Sequence, residues 1–269
     1  VKERTKSDTY GLVLSSHGGG WIPADMFDLY MAAPETKAAG APSQRFFGQD
    51  GPDYMDIADL SKALADFHTD YILFDACLMA SVEALYDLRK NTDYVVASPI
   101  EVLSDGFPFS DIIPNLFLES HNLSGVCQNF MDYYSSRSGA ISLVKTSELE
   151  SLAASVKNIV AGSKATKVDA TKIQGYEGFN PHIFYDLEQY MQALTSDKAL
   201  LESFSAALGN AVLFHDHTST FETSYGASPE TSIKIGNSCG LSCYIKSDAF
   251  PQVYAEYLKT SWAKVVGLE

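Results

Sequence analysis

The sequence predicts an α/β protein built on a mostly parallel sheet with helices on both faces, and three observations predict it. Short apolar runs of strand length alternate along the chain with amphipathic helical patterns, the signature of βαβ units. The runs are nearly continuous in β-branched and aromatic residues rather than alternating with polar ones, as strands covered on both faces are. With 269 residues, 46% hydrophobic and 20% charged, the chain can bury a core large enough for one elaborated α/β domain or two small ones.

The first strand is predicted at 10–15 (YGLVLS). Residues 31–53 follow as an Ala-, Gly- and Pro-rich loop, long for a βα connection and therefore a candidate functional segment. A helix over 57–67 places Leu60, Leu64 and Phe67 on one face. Strand 71–75 (YILFD) runs directly into a helix over 81–90, and strand 94–97 (YVVA) comes next. Strand 140–144 (AISLV) precedes a helix over 147–160 with leucines at helical spacing. After a polar loop at 168–180 come helices at 186–193 and 198–211, a strand at 241–245 and a closing helix over 252–266. The chain contains neither an internal repeat nor a low-complexity tract. Almost nothing precedes the first strand, which predicts that the opening strands of a larger domain lie upstream of Val1.

A net charge of −15 opposes binding to nucleic acid or an anionic membrane, because the counterion term is unfavourable. The same charge favours basic substrates and also serves solubility. No apolar run approaches the roughly 20 residues of a membrane span. The chain opens on Val1-Lys2-Glu3-Arg4, which is not a signal peptide, so any export signal is expected upstream. The four cysteines, Cys77, Cys127, Cys239 and Cys243, fit neither a zinc ribbon nor a disulfide framework. Cys239 and Cys243 read as buried thiols at a strand entry.

Two strand ends carry chemistry. Ser15-Ser16-His17-Gly18-Gly19-Gly20-Trp21 places a histidine at the carboxyl edge of a parallel strand, where α/β proteins bind ligands. The glycines behind it let backbone N–H groups approach a substrate oxygen. Phe74-Asp75-Ala76-Cys77-Leu78-Met79 repeats the geometry on a second strand, with Cys77 ahead of a helix whose N-terminal dipole is expected to favour a thiolate. A histidine and a cysteine brought together this way form a dyad in which the imidazole takes the thiol proton.

His17-Gly18-Gly19-Gly20-Trp21 and Asp75-Ala76-Cys77-Leu78-Met79 resemble the two signature blocks of the clostripain-type cysteine peptidases, relatives of caspases, legumain and gingipains. Phe47-Gly48-Gln49-Asp50, Ala97-Ser98-Pro99, Ser142-Leu143-Val144, Tyr185-Asp186-Leu187, Gly240-Leu241-Ser242 with Tyr244, and the 257–262 segment extend the likeness over nearly the whole chain. Gly19 stands where the family's block usually has serine. The resemblance implies a caspase-like three-layer α/β/α sandwich with extra C-terminal helices. It also implies cleavage after Arg or Lys, with His17 as general base and acid and Cys77 as nucleophile. The N–H groups of Gly18 and Cys77 would form the oxyanion hole, and Asp75 and Asp105 would read the basic side chain in S1. Asp105-Gly106 reads equally as a turn, and Asp75 as a residue that orients the Cys77 loop. Relatives mature by self-cleavage between the two blocks, which makes Lys37 and Arg45 in the 31–53 loop the expected processing sites. An uncut chain is then a zymogen, an inactive variant or a member not processed there; in a zymogen, Lys37 or Arg45 would rest in S1. The partners implied are peptide or protein substrates and an upstream chain of the same precursor, at an extracellular or envelope location in bacteria. Some relatives depend on calcium, which stays open as a cofactor although no EF-hand loop is present.

Two rival readings use the same residues. His17-Gly18-Gly19-Gly20 also matches the oxyanion motif of α/β-hydrolase esterases, but the chain lacks the Gly-x-Ser-x-Gly elbow that would carry their nucleophile. A non-catalytic binding module with the same fold would have no need of both His17 and Cys77. His215 and His217, flanking Asp216, suggest a metal site that lacks a third ligand.

Overall fold

The computed structural model describes residues 4, 6–23, 26, 55–163, 168–223 and 231–268. Its strands are β1 (Gly11–Ser15), β2 (Thr69–Asp75), β3 (Thr92–Ala97), β4 (Ala140–Lys145), β5 (Tyr185–Asp186), β6 (Val212–His217), β7 (Thr220–Thr223), β8 (Thr231–Lys234) and β9 (Ser242–Cys243). Five of them form the central sheet in the order β1-β2-β3-β4-β6. β1 lies at the edge, and its residues are alternately exposed, with Val13 38% accessible.

β1, β2 and β3 pair in parallel, with Leu12 opposite Ile72 and Leu14 opposite Phe74. β4 does not continue the parallel pattern expected of it: it runs antiparallel to β3, and β6 antiparallel to β4. The cause is the connection after β3, which holds two helices, α3 (Phe109–Leu116) and α4 (Leu123–Tyr134), packed on each other. The turn between them carries His121 against Tyr71 near the start of β2, so the pair runs down the sheet and back. The chain therefore re-enters at the edge it left. β6 restores the original direction.

Side-chain alternation along the strands divides the core in two. Ile72, Phe74, Val95 and Ala97 face α1 (Ile57–Ala63), α2 (Val82–Leu88), α5 (Leu149–Gly162), α7 (Lys198–Ala211) and the C-terminal helices. Leu73, Val96, Ile141 and Leu143 face α3 and α4. Helices on both faces of one sheet make the three-layer α/β/α sandwich that the caspase-like reading requires.

Polar caps set several helix starts. Asn122 accepts from Gly125 N ahead of α4, and Asp197 from Ala199 N and Leu200 N ahead of α7. Asp186 caps α6 (Leu187–Leu194) by accepting from Gln189 N. The closing helix expected over 252–266 is two helices, α8 (Pro251–Tyr257) and α9 (Ser261–Val266), because Thr260 leaves helical geometry to cap the second. The strand expected at 241–245 is paired only over Ser242–Cys243, antiparallel to β5 and apart from the central sheet. No helix among the described residues is long and apolar enough to cross a membrane.

Candidate active site

Ser15 pairs with Asp75 at the ends of β1 and β2. His17 and Cys77 each follow two residues later, so the parallel register delivers both to the same carboxyl edge. They line one cleft of about 450 Å³ together with Ser15, Ser16, Asp75, Ala76 and the 102–104 segment. His17 is exposed and Cys77 half-buried.

The two loops touch through backbone. A Cβ on Gly18 would lie 2.2 Å from the Cys77 carbonyl oxygen and 2.8 Å from its nitrogen, so only glycine allows this approach. Gly20 has φ +60°, and a Cβ there would meet the Phe184 ring at 2.6 Å and the Leu78 carbonyl oxygen at 2.9 Å. Leu78, next to the candidate nucleophile, itself holds φ 62°, which costs a non-glycine residue about 1–2 kcal/mol. That conformation is held by Leu78 N donating to Ile100 O and Ala80 N to Ser98 O, both at 3.0 Å.

The Cys77 sulfur accepts from Val102 N at 3.3 Å and its S–H points to Val102 O at 3.6 Å. The Gly18 N–H also donates to it. Burial pushes the thiol up to about 12, the Glu101 and Asp75 charges add to the rise, and the backbone donors oppose it. The expected helix-dipole activation is absent here. α2 begins at Val82 behind the N-cap Ser81, five residues past Cys77, and dipole effects fade within the first turn. The resting sulfur is a thiol.

Asp75 accepts from Ser15 Oγ at 2.8 Å and from Phe107 N at 3.1 Å, which turns its carboxylate toward the cleft wall near Gly106. Asp105 lies on the adjoining loop, half-exposed, with its carboxylate paired to Arg137. Glu101 escaped the sequence reading. It is buried, accepts a hydrogen bond from Thr223 Oγ1, and acts electrostatically on Cys77. A charged residue inside the apolar stretch Ile100-Glu101-Val102 was the available signal. Lys37, Arg45 and the 47–50 block lie outside the described residues. Cys127, Cys239 and Cys243 are free and buried. Among the described residues no group of three or more His, Cys, Asp or Glu could hold a metal ion, His215 and His217 included.

The model of the clostripain family matches residues 1–264. The chain belongs to the clostripain family. Three solved structures place it further. An inactive zymogen C11 protease from Parabacteroides distasonis is 30% identical with a TM-score of 0.84, over 99% of this chain and 72% of that one. A secreted C11 cysteine protease from Bacteroides thetaiotaomicron is 27% identical with a TM-score of 0.84, over 99% and 74%. A clostripain from Bacteroides thetaiotaomicron, in complex with the peptide inhibitor BTN-VLTK-AOMK, is 28% identical with a TM-score of 0.72, over 82% and 98%. No curated protein matches. The clostripain-family chain is a cysteine endopeptidase with the caspase-like sandwich.

Proposed function

We propose that this endopeptidase cleaves after Lys or Arg, with Cys77 as nucleophile and His17 as general base and acid. The observation that carries the reading is the delivery of both residues, two positions past the Ser15–Asp75 pair, into one cleft that also holds Asp75. His17 takes the thiol proton as the sulfur attacks the scissile carbonyl carbon. It then gives the proton to the departing amine, and water hydrolyses the thioester. The N–H groups of Gly18 and Cys77, on backbones already in contact, would hold the oxyanion.

Asp75 and Asp105 would read the basic side chain. The Asp105–Arg137 pair shows the kind of cation that loop accepts, and an exposed pair is worth only about 0–1 kcal/mol, so a substrate can displace it. A lysine or arginine beside Asp75 also offsets the negative field that keeps Cys77 protonated, which couples recognition to activation. The inhibitor on the related clostripain supports a lysine in this place. The related zymogen supports maturation by self-cleavage in the 31–53 loop, after Lys37 or Arg45. The related secreted protease supports an extracellular or envelope location.

The test is hydrolysis of paired fluorogenic peptides ending in Arg, Lys or Ala, by the chain and by Cys77→Ala. Turnover of the basic peptides alone, lost in the variant, is expected. No turnover even after trypsin has cut at Lys37 and Arg45 would make the chain a binding protein or an incomplete enzyme.

A further inference from the structure

Buried polar atoms in native proteins almost always have a partner, from protein or from ordered water. Trp21 Nε1, Glu83 Oε2 and the Tyr257 hydroxyl are buried without a partner among the described residues. They belong to one cluster. The Trp21 ring packs edge-on against Tyr244 at 5.4 Å and Tyr257 at 5.6 Å. Glu83, which is fully buried, accepts from Tyr244 N at 2.8 Å through its other oxygen, and its charge acts on the Tyr257 hydroxyl. Trp21 is the first large side chain after His17 and the three glycines, and Glu83 lies in the first turn of the helix after the Cys77 loop. The anchors of both candidate catalytic loops thus meet at Tyr244 and Tyr257.

We infer that Glu83 is a positioning residue for the catalytic pair, joined to Trp21 Nε1 and the Tyr257 hydroxyl through buried water, so that the junction fixes the His17 loop against the Cys77 loop. A buried water needs two to four polar partners, and these three atoms supply them. The indole only donates, whereas the carboxyl group accepts and the phenol can do either, so one water can accept from the indole and bond the other two. The titratable groups around it are Asp87 on its own helix, Cys243, Tyr244, and Tyr257 from α8, with Tyr190 beyond; no cation is among these described groups. Burial pushes its carboxyl up to about 8, with the Asp87 charge adding and the Tyr244 N–H opposing. Above that pH an unpaired buried charge would disrupt the junction.

The effect on catalysis rests on His17 and Cys77 being the catalytic pair, so the experiment carries a second readout independent of activity. Emission of Trp21 is followed against pH in a Trp262→Phe background, with and without Glu83→Gln. A transition near pH 8 that disappears with Glu83→Gln is expected; the same transition in both would overturn the inference. In turnover, Glu83→Gln should keep most activity at neutral pH and lose the alkaline fall. Glu83→Leu should lower kcat by about 100-fold with KM unchanged, the size of effect that small misplacement causes. A Glu83→Leu enzyme with wild-type kcat would also overturn it. If that variant does not fold, the Glu83→Gln profile decides. If the wild type turns nothing over, the emission titration still decides, and the failure belongs to the catalytic reading.

Discussion

Cys77 keeps its proton at neutral pH because burial and two carboxylates act in the same direction on its sulfur, against two backbone donors. The Glu101 charge acts on the sulfur more than the Asp75 charge does. Glu101→Gln should therefore lower the Cys77 pKa and speed its alkylation by iodoacetamide at neutral pH, by about tenfold for each unit of fall. An unchanged rate would show that the Glu101 charge does not reach the sulfur. His17, Cys77 and Asp75 were legible in the sequence because each sits in a local pattern, a strand running into glycines or into Asp-Ala-Cys. Glu101 was not, since its influence depends on a fold that returns the chain to Cys77 after β3. The thiolate expected from the helix dipole failed for a similar reason: the left-handed turn at Leu78 delays the helix, and a side chain at positive φ is not announced by leucine.

Among elements, the 175–184 segment does the most for the site without lining it. Its Phe184 ring packs where a Cβ on Gly20 would stand, beneath the histidine loop. Glu177 anchors the segment, accepting from Ile183 N and Phe184 N and from His182 Nδ1, the last at 2.7 Å. Burial works against the His182 imidazolium, but the Glu177 hydrogen bond and charge together outweigh it and raise the pKa. A raised histidine pKa means stability that is complete below the ordinary histidine value and lost as pH rises through the raised one. The Tm gap between wild type and His182→Ala should therefore be widest near about pH 5 and narrow by about pH 9. A gap that widens with pH would exclude the ion pair as its source. The sequence marked 168–180 only as a polar loop, because nothing in a single residue string shows that Glu177 closes on His182. α4 was legible and missed: Leu123, Val126, Cys127, Phe130, Met131 and Tyr134 keep helical spacing. α3 was harder, with Pro114 inside it.

At the scale of the whole molecule, the layered architecture could be read from strand-length apolar runs, while the direction of β4 could not. Direction depends on whether a connection crosses the sheet once or goes down and back, and missing α3 and α4 removed that information. The sheet order also leaves β1 at the edge, bonded to β2 and, among the described strands, to no other. Among the described strands, β2, which leads to Cys77, is flanked on both sides, whereas β1, which leads to His17, has one neighbour and five residues. Edge segments open with less free energy than the global unfolding that protects a core. Amides of 11–15 should therefore exchange with deuterium well before those of 69–75, and activity should be lost on warming before the melting transition begins. Equal protection of the two strands would refute this. In the proposed mechanism heat would then silence the enzyme by loosening the base while the nucleophile stayed in place, a reversible fading on cooling rather than a collapse, with the working ceiling set by a short ribbon at the rim.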